Sequence, residues 1–93
     1  MKPKKKIRII LRERRGPCPC HRGHQVGDSF DFDTERGQLC SMAMHVAFPY
    51  IDILRYGGEP PRARDGRILF SCPDADVLNI FELIPEGQDQ TQN

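Results

Sequence analysis

Soft metal ligands crowd into one short stretch of this chain. The segment from Gly16 to Asp28, GPCPCHRGHQVGD, holds Cys18, Cys20, His21 and His24, whereas Cys40 and Cys72 stand alone further on. Thiolates and imidazoles bind zinc or iron well, and a thiolate is also a nucleophile and a redox group. The spacing therefore points to a metal or reactive-thiol centre. The C-x-C pair with distant single cysteines is not the doubled C-x-x-C pattern of zinc ribbons. No phosphate loop, nucleophile elbow or dinucleotide fingerprint accompanies these residues, so the sequence indicates a site without naming a reaction.

The elements that must position them follow from changes of period. Ile7, Ile9 and Leu11 alternate with Arg8, Ile10 and Arg12, which predicts a first strand with one buried and one largely basic face. Gly16-Pro17 ends it, the Cys/His loop follows, and Ser29–Asp33 predicts a short second strand with Phe30 and Phe32 inward. From Ser41 the period becomes helical through Ala43, Val46, Ala47, Tyr50, Ile51 and Leu54, and Gly57-Gly58 is a stop signal. Pro49 removes the amide that would bond to His45, so one helix kinked or split near Phe48 is expected. Residues 67–71 and 77–84 predict two further strands, the latter with Asn79, Phe81 and Leu83 on one face. The order β-β-α-β-β favours an α+β fold, a small antiparallel sheet with the helix on one face. One domain spanning residues 1–85 is expected, preceded within it by a basic arm at 1–6 and followed by a polar, flexible tail at 86–93.

With 93 residues and 38% hydrophobic content, the chain can support one modest core. A core of that size gains from a metal, a disulfide or a partner subunit, so a homo-oligomer or an accessory subunit of a larger complex is expected. Eight of the fourteen basic residues and one of the thirteen acidic ones fall within the first fifteen positions, leaving a start at +7 and a remainder at −6. Lys4, Lys5, Lys6, Arg8 and Arg12 are thus candidates for nucleic-acid contact through phosphates. The competing reading is a basic strand face that complements the chain's own acids. The apolar run at 7–11 is interrupted by Arg8, too short for a signal-peptide core or a membrane span, and the expected location is the cytoplasm. There, four cysteines are expected as thiols or ligands rather than disulfides.

Several pieces of the sequence resemble a small uncharacterised bacterial and archaeal family of chains about this length with three recurring cysteines. They are Cys20 before Gly27-Asp28, Cys40-Ser41-Met42-Ala43 opening the helix, Leu54-Arg55-Tyr56-Gly57-Gly58 closing it, Cys72-Pro73-Asp74, and Ile80-Phe81-Glu82-Leu83. Ala75 stands where that family usually has glycine. The resemblance implies that Cys20, Cys40 and Cys72 are the recurring cysteines, with no established activity to carry over. These three with one of Cys18, His21 or His24 would complete a tetrahedral zinc or iron set, and Asp74 and Asp28 would orient ligands from outside it.

Two alternatives use the same residues differently. Cys40 beside the helix N-terminus would be a nucleophilic or redox thiol, activated by the helix dipole and by His21, His24 or His45, with Cys18 or Cys20 as resolving thiol or Asp74 orienting a histidine. In the other alternative the basic start makes the protein a nucleic-acid or protein-partner module, with Phe48, Tyr50 or Tyr56 as stacking surfaces. In that case no metal or other cofactor is needed.

Overall fold

The alternation around Ile7, Ile9 and Leu11 produces a long strand, β1 (Lys5–Arg15), in a computed structural model that describes residues 5–16, 22–73 and 77–88. Expectations placed on Lys4, Cys18, Cys20, His21 and Asp74 lie outside the described residues. After β1 come β2 (Ser29–Asp31), a 3-10 turn (Arg36–Gln38), α1 (Ser41–Arg55), β3 (Ile68–Ser71) and β4 (Leu78–Gln88). The strands form one antiparallel sheet in the order β2-β1-β4-β3. This is the α+β architecture expected from the order of periods.

Cross-strand pairing explains the core. Phe30, Ile9, Leu83 and Ile68 lie in one row across all four strands, and Leu11, Phe81 and Phe70 in the next. These residues are buried, and Phe70 stacks on Phe81 with ring centroids 5.1 Å apart. Helix α1 covers this face with Ala43, Met44, Ala47, Ile51 and Leu54. Full burial of side chains this size is worth about 1.5–3 kcal/mol each, so the packed face dominates stability.

Three boundaries differ from expectation, each for a local reason. Strand β2 stops at Asp31 rather than Asp33, because the Asp31 carboxylate accepts the amides of Asp33 and Thr34 and turns the chain. Strand β4 continues through Pro85 to Gln88, so residues 86–88 pair with β1 and do not belong to a flexible tail. The proline is tolerated because β3 reaches only as far as the Ile68–Leu83 pair, leaving β4 an open side beyond it. Helix α1 is not split: it runs unbroken past Pro49, which is exposed, as is His45, whose carbonyl loses its partner. Water can satisfy that carbonyl while Ala47 and Ile51 hold the opposite side.

The helix ends as glycine dictates. Gly57 adopts φ +84°, its amide donates to Leu54 O at 3.3 Å, and the Gly58 amide donates to Ile53 O at 2.8 Å. This is a Schellman closure. Arg55 then reaches back, 2.7 Å from Asp33 and 4.9 Å over the Phe32 ring, fixing the helix end against the β2 edge. No helix among the described residues is long and apolar enough to cross a membrane.

Candidate metal and thiol site

The first cluster forms where the Cys/His loop meets the helix start. The turn Gln25–Asp28 closes with the Asp28 amide on Gln25 O and the Gln25 amide on the Asp28 carboxylate, both at 2.9 Å, and Gly27 supplies a positive φ of 100°. Amide–carbonyl bonds from Leu11 to Asp28 and from Gly27 to Leu11 clamp this turn to β1. The clamp brings His24 under the helix. His24 is buried, sits edge-on to Phe30 at 5.1 Å, and its Nε2 accepts the Cys40 amide at 3.0 Å. Cys40 is the N-cap residue of α1; its carbonyl accepts the Met44 amide, and its thiol makes no capping bond.

His24 therefore serves the helix start through Nε2, which is committed to the Cys40 amide rather than to a metal. Cys40 occupies the expected place at the helix terminus but is only 5% exposed. A reactive thiol needs access as well as a favourable field, so this burial weakens the nucleophile reading.

The second cluster lies at the far end of β3. Cys72 continues the β3–β4 pairing: its amide donates to Asn79 O at 3.0 Å, and its Sγ lies 3.4 Å from both Val77 O and the Asn79 amide. It is a free, buried thiol. The thiol thus donates to the Val77 carbonyl and accepts the Asn79 amide. Asn79, opposite Cys72 on the inner face, is 2% exposed, and its Oδ1 has no hydrogen-bond partner. Burying such a group without a partner costs about 1–3 kcal/mol. Sequence reasoning placed Asn79 on the face of Phe81 and Leu83 but assigned it no role. The available signal was a carboxamide in a row of apolar core residues.

A bulge aligns β1 with this second cluster. Leu11 pairs with Phe81 and Glu13 with Ile80, so Arg12 is an extra residue that reverses the alternation. Arg14 then pairs with Asn79, giving the row Arg14, Asn79, Cys72 across β1, β4 and β3. In sequence, Cys18, Cys20 and His21 come three, five and six residues after Arg15, the last residue of β1. Cys72 and the His24–Cys40 pair nevertheless belong to opposite edges, since β3 and β2 are the outer strands. Among the described residues, no three His, Cys, Asp or Glu side chains gather as a metal-holding group.

The basic strand face is largely neutralised by the chain itself. Arg8 contacts the Glu86 carboxylate at 3.2 Å, Arg12 contacts Glu82 at 2.8 Å, and Arg15 contacts Glu13 at 2.7 Å. The hydrogen bond from Arg15 holds the Glu13 carboxyl below its ordinary range. Of the nucleic-acid candidates, Arg8 and Arg12 are thus engaged with acids, and Lys6 is exposed. Beside the helix start, an open groove of about 380 Å³ is lined by Arg22, Leu39, Ser41, Met44, His45 and Phe48. His45 is exposed on it, away from Cys72. Compared with protein-family models, curated proteins and solved structures, the chain finds no match in any of the three.

Proposed function

We propose that this protein is a small cytoplasmic metal-binding domain with a structural or accessory role, holding zinc or iron through cysteine thiolates at the Cys72 end of the sheet. The observation that carries the reading is topological. Cys72 lies two inter-strand spacings, about 10 Å, from Arg14 in the row described above. Cys18 follows Arg14 by four residues and Cys20 by six; a chain reaches about 3.3–3.6 Å per residue, so both lie within covalent reach of Cys72. The donor chemistry fits: soft sulfur ligands suit zinc and iron, and the Asn79 amide already points at the Cys72 sulfur. Of the expected set of Cys20, Cys40 and Cys72 with Cys18, His21 or His24, Cys40 and His24 meet at the opposite edge of the sheet, so a centre at Cys72 draws on Cys18, Cys20 and His21. The free thiol of Cys72 fits a reducing compartment.

A second property, self-association or docking to a larger complex, is favoured by the outer side of α1. Met42 and Ile53 are exposed there, as is the C-cap Tyr56 at 87%, and Phe48 is exposed at the flank, where it packs edge-on against Phe32. Exposed apolar side chains grouped among polar ones mark a surface that a partner can cover.

Elemental analysis of protein purified anaerobically without chelator tests the leading reading, with thiols titrated in the same sample. Near-stoichiometric zinc or iron with few reactive thiols is expected, and Cys72→Ser should lower both metal content and stability. No metal together with four titratable thiols would overturn it.

A further inference from the structure

The outer edge of β3 is open, and the helix above it is apolar on the same side. The Cys72 amide donates to Asn79 O, so these two form a hydrogen-bonded pair; by alternation Phe70 and Ile68 turn their backbone groups to β4, and Leu69 and Ser71 turn theirs outward. On that outward side the Ala63 amide takes the Arg67 carbonyl, and no strand among the described residues pairs with Leu69 and Ser71. The strand carries no lysine, proline or bulge to blunt its edge, and Arg67 at its start is held by Asp65 at 2.7 Å. Ring contacts fix the sides of α1. Phe48 meets Phe32 edge-on and Arg55 lies over the same ring, towards β2, whereas Tyr50 lies 6.2 Å from Phe70 of β3. On the Tyr50 side, Met42, Val46, Pro49, Ile53 and Tyr56 succeed one another at steps of four and three, the spacing of a coiled-coil seam. All but Val46 are exposed.

We propose that a second copy of this chain docks here, its β3 pairing antiparallel with this one about a twofold axis at Phe70. This rests on the self-association reading above and gives it a partner and a register. Leu69 exchanges both backbone bonds with the partner's Ser71, and Ser71 does so with the partner's Leu69, joining the two sheets into one. Phe70 faces the partner's Phe70 in the closer, non-hydrogen-bonded kind of pair. Because Tyr50 lies beside Phe70, the axis also passes near the middle of α1. The two helices then run antiparallel, with Met42 near the partner's Tyr56 and Val46 near the partner's Ile53. Charge favours a copy as the occupant. Neither β3 nor the helical seam holds a charged residue, so no charge meets its own image across the axis. At the rim, exposed His45 comes level with the partner's Asp52, and the antiparallel helix dipoles are complementary. Size agrees. The 15 residues of α1 span about 22 Å, and the helix and sheet layers are about 10 Å deep each. That gives roughly 900 Å² over both copies, close to the about 1,000 Å² of the smallest specific interfaces, as in a reversible dimer.

The test is sedimentation velocity of the full chain over a micromolar to millimolar series, with amide hydrogen exchange read by nuclear magnetic resonance at both ends of it. A monomer–dimer equilibrium is expected, the Leu69 and Ser71 amides exchanging freely in the monomer and roughly tenfold or more slowly in the dimer. Ser71→Pro removes an outward N–H while leaving the ladder to β4 intact. It should weaken dimerisation roughly tenfold or more, with the melt of the dilute monomer unchanged. A dimer in which Leu69 and Ser71 still exchange freely would overturn the β3 pairing while leaving self-association through α1 standing. A chain that stays monomeric throughout the series would overturn both. Should Ser71→Pro fail to fold, exchange in the wild type decides: protection of Leu69 and Ser71 that rises with the dimer fraction sustains the proposal, and protection independent of it overturns the proposal.

Discussion

Replacing His24 by alanine separates a histidine that holds the fold from one that holds a metal. The substitution removes the acceptor of the buried Cys40 amide and the edge contact with Phe30. An orphaned buried amide costs about 1–3 kcal/mol, and the ring contact adds about 0.5–1.5 kcal/mol. The sum is about 1.5–4.5 kcal/mol, which for a chain of this length lowers the melting temperature by roughly 6–36 °C. Urea unfolding of metal-free protein, followed by far-ultraviolet circular dichroism, reads this loss directly; the chain has no tryptophan to report it by fluorescence. His24→Gln should recover about half, since its Oε1 reaches the position of Nε2. A loss under about 0.5 kcal/mol, within the range of an ordinary surface change, would refute the reasoning. So would a metal-free protein left intact whose zinc affinity collapses, because His24 would then be a ligand.

Gly57→Ala should cost about 1 kcal/mol, since no atom lies near the added Cβ and only the left-handed backbone is penalised; a thermal shift smaller than 2 °C would count against the Schellman closure. Burial raises the Asp31 carboxyl, but the Thr34 and Asp33 amides outweigh it and hold it below its ordinary value. Its contribution is therefore complete above the unfolded value of about 3.9 and lost as pH falls through the lower folded value; Asp31→Asn should flatten stability across that acid window in pH-dependent denaturation. Paired Ile53→Lys and Tyr56→Lys substitutions should convert any oligomer to monomer in analytical ultracentrifugation without lowering the melting temperature, as both side chains are exposed. Arg8→Ala and Arg12→Ala should leave the salt dependence of any polynucleotide binding unchanged, because both guanidinium groups are spent on Glu86 and Glu82.

Much of the architecture was legible because local periods were clean. Alternation identified the buried side of β1 and separated the two faces of β4, and the helical steps identified the inner face of α1 apart from Met44. What escaped was non-local. Pro85 reads as a terminator until β1 supplies β4 with a partner over residues 84–88. The bulge at Arg12 has no signature of its own, since it is created by register against Phe81 and Ile80. At the site, sequence found the sulfur and imidazole groups but could not assign His24 to the Cys40 amide, a bond between loop and helix sixteen residues apart. Asn79 escaped for the same reason, its significance arising only when Cys72 is placed across from it.

The pairing of β1 with β4 also governs when this molecule can fold. These two central strands join Lys5 to Gln88, so the innermost part of the sheet is its most distant contact along the chain. Loop-closure entropy must be met before that contact forms, and such topologies fold slowly. On the ribosome, β1, β2 and α1 emerge with Ile9, Leu11 and Ala47 uncovered, and they wait for residues 77–88 to leave the exit tunnel. The emerging segment is therefore exposed to aggregation and chaperone capture until β4 arrives, and shortening β4 by a few residues should be strongly damaging.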